Sequence, residues 1–220
     1  SLANALDARD PYTAGHSHRV SEMSQVVARS MALPPETVER VRVGALLHDI
    51  GKVGVPDAIL RKSSALTGEE WIEMRKHPEI GRQILDRVGG AFSHISAIVA
   101  AHHERWDGKG YPNGLPGEDI PLEARIITVV DAFDAMTVRR VYREPMPVEA
   151  ARAELLRCSG KQFDPKVVAA FLSVLDEEIM QALRTQETGV ERSQGDRKGL
   201  LPTSTTAPAL TMNAPGEPFP

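Results

Sequence analysis

The chain has few of the side chains that most often staple or anchor a protein. It has a single cysteine, Cys158, so neither a disulfide framework nor a zinc–thiolate site can be built, and a reducing cytoplasm is the expected setting. Aromatic residues make up only 5% of the 220, which leaves Ala, Val, Leu, Ile and Met to fill a core. No apolar run is long enough to span a membrane, and no signal peptide is apparent. Neither sign of charge dominates: 26 basic and 30 acidic residues give a net charge of −4, which offers no electrostatic case for holding long nucleic acid. The first residues, SLANALDARD, lack a Met and read as the end of a helix. The expectation is a module of a longer protein, preceded by a receiver or other sensory domain, with a helix that could continue into a homodimer.

What is present is the helical period, nearly throughout, with almost no alternation of period two. SHRVSEMSQVVARSMAL sets Val20, Met23, Val27 and Met31 on one face. PPETVERVRVGALLHDIG has Pro35 near its first turn, Val38, Val41 and Ala45 on one stripe, and a stop at Gly51. LTGEEWIEMRKHPEIGRQILDRVGG reads as two helices: Thr67 and Glu70 form a capping box for the first, Pro78 opens the second, and Gly89-Gly90 ends it. FSHISAIVAAHHE is expected to be capped by Ser93, with Ile95, Ile98 and Val99 inward. After a Gly/Pro-rich loop come LEARIITVVDAFDAMT, PVEAARAELLRC and DPKVVAAFLSVLDEEIMQAL, the last capped by Asp164. The sum is an all-α bundle of eight or nine helices over residues 1–184, and a Pro/Ser/Thr/Gly-rich tail, 185–220, expected to be disordered.

The histidines carry the chemistry. A lone His on an apolar stripe is more often a satisfied core residue than a ligand. Here the phases coincide: His48 follows Ala45 and Val41 on the buried stripe, His102 follows Ile98 and Ile95, and His16 precedes Val20 and Met23. His77 stands at a helix start, just before Pro78. Several helices therefore aim imidazoles at one core, where each unpaired polar group costs about 1–3 kcal/mol. Asp49 follows His48, and Asp131 interrupts the apolar face of IITVVDAF; a buried Asp needs a partner or a metal. Imidazoles and carboxylates without thiolate favour iron, manganese or zinc over calcium or copper(I). Such a set suits two adjacent divalent ions, with Asp49 as the candidate bridge because a carboxylate has two oxygens. A pair of ions is the clamp used for in-line phosphoryl displacement.

LLHDIGKVGVPDAIL, KHPEIGRQIL, AHHERWDGKGYPNGLPGEDIP and DAFDAMTVRRVYR, in that order, resemble the HD-GYP family, the cyclic di-GMP phosphodiesterase branch of the HD-domain metal phosphohydrolases. The resemblance runs from about Asp10 to Met180. It implies an all-helical fold, a two- or three-metal centre, commonly of iron or manganese, and hydrolysis of cyclic di-GMP to linear pGpG, sometimes on to GMP. By position it gives metal-ligand roles to His16, His48, Asp49, His77, His102, His103 and Asp131, the roles of His77 and His103 resting on the motif alone. Members with a third metal carry a Glu one turn before the first His; Tyr12 stands there, so two ions are expected. Where SDRPYR is usual this chain has VRRVYR: Arg140 and Arg143 keep the basic positions, and Arg139 is an unexplained extra charge.

The roles expected of the remaining residues follow from that chemistry. A water made nucleophilic at the metals attacks one phosphorus in line, and the ribose 3′ oxygen leaves. Lys52 reaches a phosphate oxygen as catalytic cation, against the alternative of a solvated lysine beyond a helix-ending Gly. Arg140 and Arg143 hold the second phosphate, and Asp107 orients His102 or His103, unless it serves only the Asp107-Gly108 turn. Gly110-Tyr111-Pro112 is either an ordinary turn or a lip of the site, with Tyr111 on its rim against substrate; the family adds docking of GGDEF synthase domains. His18 and His94 are read as solvent-facing, Trp71 as packed between helices, Trp106 as a guanine stacker or a loop anchor, and Cys158 as a small buried hydrophobe. Asp134 shares the face of Asp131 and either supports a ligand or bonds within its helix. Competing functions are an HD-domain hydrolase of dNTPs or (p)ppGpp, a non-catalytic binder of cyclic di-GMP or GGDEF proteins, and a di-iron oxygen sensor.

Overall fold

The computed structural model describes residues 15–62, 64–90, 92–138 and 145–176. Among these the regular elements are helical, with two isolated β-bridges and no strand. In order they are α1 (His16–Ser30), α2 (Pro35–Leu47), a 3-10 turn (Ile50–Gly54), α3 (Asp57–Leu60), α4 (Gly68–Met74), α5 (His77–Val88), α6 (Phe92–Ala101), a second 3-10 turn (Gly117–Asp119), α7 (Leu122–Thr137) and α8 (Val148–Cys158). Residues 165–176 form a further helix, α9. One compact unit covers Ser1–Val174; the other, Leu175–Pro220, is described only at 175–176. The expected boundary at 184/185 and the tail 185–220 fall outside the described residues, as do Tyr12, Arg139, Arg140 and Arg143.

Helix α2 packs against α1, α6 and α7, and α7 also receives α1 and α8. The stripes expected from the sequence are buried: Val20 and Val27 on α1, Val38, Val41 and Ala45 on α2, Ile95, Ile98 and Val99 on α6. Met23 and Met31 are only half-buried. Helix α7 is apolar around most of its girth, with Ala124, Ile126, Ile127, Val129 and Val130 all buried, as a central helix must be. The scarcity of aromatic residues is met by β-branched and Ala side chains, with Phe163 and Phe171 buried near the end of the described residues.

The helix ends follow local rules. The Thr67–Glu70 capping box is formed in both directions, Pro35 is the first residue of α2, and Asp164 accepts the amide of Lys166 at 2.8 Å at the start of α9. Ser93 does not cap α6. That helix begins at Phe92, two residues before the start a Ser93 cap would give, because the amides of Phe92 and Ser93 turn back to the carbonyls of Gly89 and Gly90. The short α3 and the two 3-10 turns have no periodic signature and were not expected.

One close approach sets the geometry that follows. Helix α5 lies against the first 3-10 turn, and a Cβ built on Gly51 would stand 1.8 Å from the carbonyl oxygen of His77 and 2.5 Å from the amide nitrogen of Gly81. Those neighbours are backbone and cannot swing aside, so only glycine lets the turn come this close to α5. Replacing Gly51 by Ala is expected to destabilise the fold by about 3 kcal/mol and lower Tm by about 6–12 °C. At Gly68 a Cβ meets nothing within 4 Å, and Gly68→Ala should shift stability by less than about 1 kcal/mol. Thermal melts of the two variants check the contrast.

Candidate metal centre

The helices that meet at α2 also end there. His48 is the residue after α2, His77 the first of α5, and His102 the residue after α6. Each turns its Nδ1 onto the carbonyl three residues before it: Ala45 at 2.7 Å, Met74 at 2.8 Å and Val99 at 2.6 Å. A carbonyl accepts, so Nδ1 carries the proton in all three and Nε2 keeps its lone pair. His16, the first residue of α1, is held differently. Its Nδ1 donates to Asp134 at 2.7 Å, and its Nε2 lies 3.2 Å from Asp131.

The freed nitrogens converge. His77, His102 and His103 form one group whose ligand atoms all lie within 4.8 Å of each other, and His16, His48 and Asp49 form a second on the same criterion. Asp49 stands between the two groups: its Oδ1 is 3.5 Å from Nε2 of His77 and its Oδ2 is 3.4 Å from Nε2 of His48. The two groups also touch directly, with the rings of His48 and His102 5.2 Å apart. Asp131 approaches His16 from α7 without belonging to either group. All seven residues expected to act as ligands are thus gathered in one region.

Charge separates the two groups. Burial holds His77 down to about 4 and His102 to about 3, the latter also lowered by His77 and His48, and His103 lies well below the usual imidazole range for the same reasons. These three are neutral at pH 7 with lone pairs available. At His16 burial opposes the proton, but Asp131 and Asp134 outweigh it and raise the group to about 9. His48 is also raised, Asp49 prevailing over burial. Asp49 itself stays well below the carboxylate range despite burial, because Lys52, His48 and His77 surround it. Burial would likewise raise Asp131, but His16 and His48 hold it ionised.

Lys52 does not extend toward solvent. Its Nζ lies 2.7 Å from Oδ2 of Asp49, one turn back along the chain. Tyr111 stacks on His103 with centroids 4.8 Å apart, and its amide donates to the His103 carbonyl at 3.2 Å. Gly110 permits this fold-back, because a Cβ there would stand 2.4 Å from the Arg105 amide nitrogen and 2.5 Å from Cα of Glu104. Pro112, joined to Tyr111 by a cis peptide, is exposed at the tip. Gly110-Tyr111-Pro112 is therefore more than a turn: it covers an imidazole of the three-histidine group.

Other assignments sort plainly. Asp107 does not orient the double His; its carboxylate takes Arg105 at 2.8 and 3.0 Å and the amide of Lys109, because the guanidinium two residues away reaches it first. Asp134 supports His16 and is itself gripped by Arg19 at 2.7 and 3.0 Å. Trp106 anchors its loop: its amide and carbonyl bond Gln162 and Gly117, and Arg125 lies over its ring. Trp71 is half-buried, His18 and His94 are exposed, and Cys158 is buried. Sequence reasoning missed Glu104, which is 2% exposed and accepts the amides of Asn113 and Leu115 at 2.7 and 3.0 Å, tying down the loop that bears Tyr111. Its only signal was its place beside the double His. Arg19 also went unnoticed, although it lies one turn from His16.

Residues 1–167 match the family model described as HD domain. The chain belongs to the HD-domain family. Among its HD-domain relatives, a protein of Thermotoga maritima named cyclic di-GMP phosphodiesterase is 42% identical over 190 residues, covering 86% of this chain and 51% of that protein. A Vibrio cholerae protein named 3′3′-cGAMP-specific phosphodiesterase 2 is 41% identical over 180 residues, covering 81% of this chain and 34% of that one. This chain thus spans about half or less of the length of these two relatives. In fold it is similar to Bd1817, a HDG"Y"P protein from Bdellovibrio bacteriovorus, with a TM-score of 0.59 at 22% identity over 73% of this chain and 51% of the other.

If Asp134 fixes the ring of His16, its loss must weaken ion binding in this HD domain. Asp134→Ala should bind Mn²⁺ about 10–100-fold more weakly than the parent at the His16/His48/Asp49 group. Calorimetric titration with Mn²⁺ reads this directly; an unchanged affinity would remove Asp134 from the support of the site.

Proposed function

We propose that this HD domain is a two-metal phosphodiesterase that opens cyclic di-GMP to linear pGpG. The observation that carries the reading is Asp49, with one oxygen toward each ligand group, at 3.5 Å from His77 and 3.4 Å from His48. A carboxylate so placed would link two ion sites, and two ions a few Å apart would clamp the attacking and leaving oxygens of an in-line displacement at phosphorus. Metal-ligand roles fall to His16, His48, Asp49, His77, His102, His103 and Asp131; the donor set suits iron, manganese and zinc, and the family resemblance favours iron or manganese. Bound there, the ions would polarise a non-bridging phosphate oxygen and supply a nucleophilic water near neutral pH.

The chain's own groups would do the rest. Lys52, paired with Asp49 at 2.7 Å, places an ammonium beside the bridging carboxylate, close enough to meet charge that grows on the phosphate in the transition state. Arg140 and Arg143 take the second phosphate, and Tyr111, stacked on His103, covers one face of that imidazole. The names of the relatives, cyclic di-GMP and 3′3′-cGAMP phosphodiesterases, support a guanine-containing cyclic dinucleotide as substrate. Among the described residues no helix is long and apolar enough to cross a membrane, and we place the reaction in the cytoplasm, with GGDEF synthases as candidate partners at the Tyr111 loop.

The test is direct. Protein purified without oxygen and loaded with Mn²⁺ or Fe²⁺ should convert cyclic di-GMP to pGpG, resolved by chromatography. Asp49→Asn, which unbalances both groups at once, should lose about three powers of ten in kcat/KM. Micromolar binding of cyclic di-GMP with no product over hours would instead make the domain a receptor, and turnover of dNTPs alone would change the substrate.

A further inference from the structure

One cation beside the centre is not used by the reading above. Arg75, at the end of α4 and two residues before His77, is exposed, and its guanidinium lies over two aromatic rings: 5.3 Å from the centroid of Tyr111 and 6.0 Å from that of Trp71. Tyr111 in turn stacks on His103. A stack thus leads from a histidine of the three-imidazole group out to a planar cation at the surface. Among the described residues no carboxylate pairs with the Arg75 side chain, whereas the adjacent Lys76 is occupied by Glu73 at 2.6 Å.

We infer that Arg75 reads a guanine base of the dinucleotide. This rests on the cyclic-dinucleotide reading above. A guanidinium held against aromatic faces is oriented by them and keeps its N–H fork for an outside partner. That fork matches the paired acceptors O6 and N7 of guanine, where adenine presents a donor in place of O6. Phosphate also offers two acceptors, but a phosphate site gathers several cations, and Lys76, the next residue, is bound to Glu73 while Lys52 pairs with Asp49. Trp71, half-buried beside Arg75, extends the aromatic surface on which a purine could stack. Arg75 is thus a residue for specificity, while the metal ligands and Lys52 act on the phosphate.

The test compares the parent, Arg75→Ala and Arg75→Lys, each loaded with Mn²⁺ and matched for metal content and thermal melt. Turnover and equilibrium binding are measured for cyclic di-GMP and cyclic di-AMP, with bis(p-nitrophenyl) phosphate reporting on the metal centre. Both variants should lose about tenfold or more of the preference for cyclic di-GMP over cyclic di-AMP, the Lys variant as well because an ammonium lacks the planar fork. Equal losses for the two nucleotides, with rescue by Lys, would make Arg75 a phosphate clamp and overturn the assignment. An unchanged preference, or a parent with no preference for guanine, also overturns it. A parent that prefers guanine in binding but hydrolyses neither nucleotide defeats the proposed reaction alone, and Arg75 is then judged on the binding of its variants.

Discussion

The centre depends on a hydrogen bond repeated at three helix ends: an imidazole Nδ1–H given to the carbonyl three residues earlier. Ala45, Met74 and Val99 lie in the last turns of α2, α4 and α6, where carbonyls have no partner within the helix. His48, His77 and His102 each satisfy one of these. The same bond fixes the tautomer and leaves Nε2 bare. Helix termination and ligand preparation are therefore a single act. Moving the helix end by one residue would cost both the carbonyl its partner and the imidazole its direction.

Such ends are useful only if they meet, and backbone proximity brings them together. The 3-10 turn after Asp49 carries no side chain at Gly51, so it lies against the start of α5, within reach of the His77 carbonyl. This brings Asp49 and His77, 28 positions apart in sequence, to 3.5 Å. On the other side of the centre the approach is again backbone to backbone: Gly110 folds onto Glu104 and Arg105, and Tyr111 comes to rest on His103. Glu104 secures that return by taking two loop amides into a buried carboxylate. Most of the candidate ligands sit at helix ends, and the absence of a Cβ at Gly51 and Gly110 lets the backbones around them approach this closely.

Much of this was legible in the residues. Helical phase placed His48 and His102 inward because both extend a stripe of Val, Ile and Ala, and a buried Asp beside a buried His is costly unless a cation or a metal compensates it. The capping box at Thr67 and the Asp164 cap are local, so sequence alone reveals them. What sequence could not reveal is competition. Asp107 looked able to orient an imidazole, yet Arg105 stands nearer. Ser93 looked like a cap, yet Gly89 and Gly90 let the helix begin two residues sooner. Glu104 and Arg75 have no periodicity to betray them, since both answer to loop segments that come near only in the folded chain.

The two ligand groups are unlike, and the difference follows from which elements feed them. The three-imidazole group draws on α5 and the end of α6 and contains no carboxylate of its own, so burial keeps its rings neutral and their lone pairs open. The other draws on α1 and the end of α2 and faces α7, which contributes Asp131 and Asp134, so His16 is held in a field that favours positive charge. Under the proposed two-metal reading, a cation in the second group would replace a proton that the acids already stabilise, whereas one in the first would bring charge into a neutral, desolvated pocket. Asp49 stands at both sides of that asymmetry, Oδ1 3.5 Å from Nε2 of His77 and Oδ2 3.4 Å from that of His48. On that reading a neutral side chain at position 49 would leave the imidazole group without a neighbouring anion, and Asp49, more than any single histidine, would make the two groups one centre.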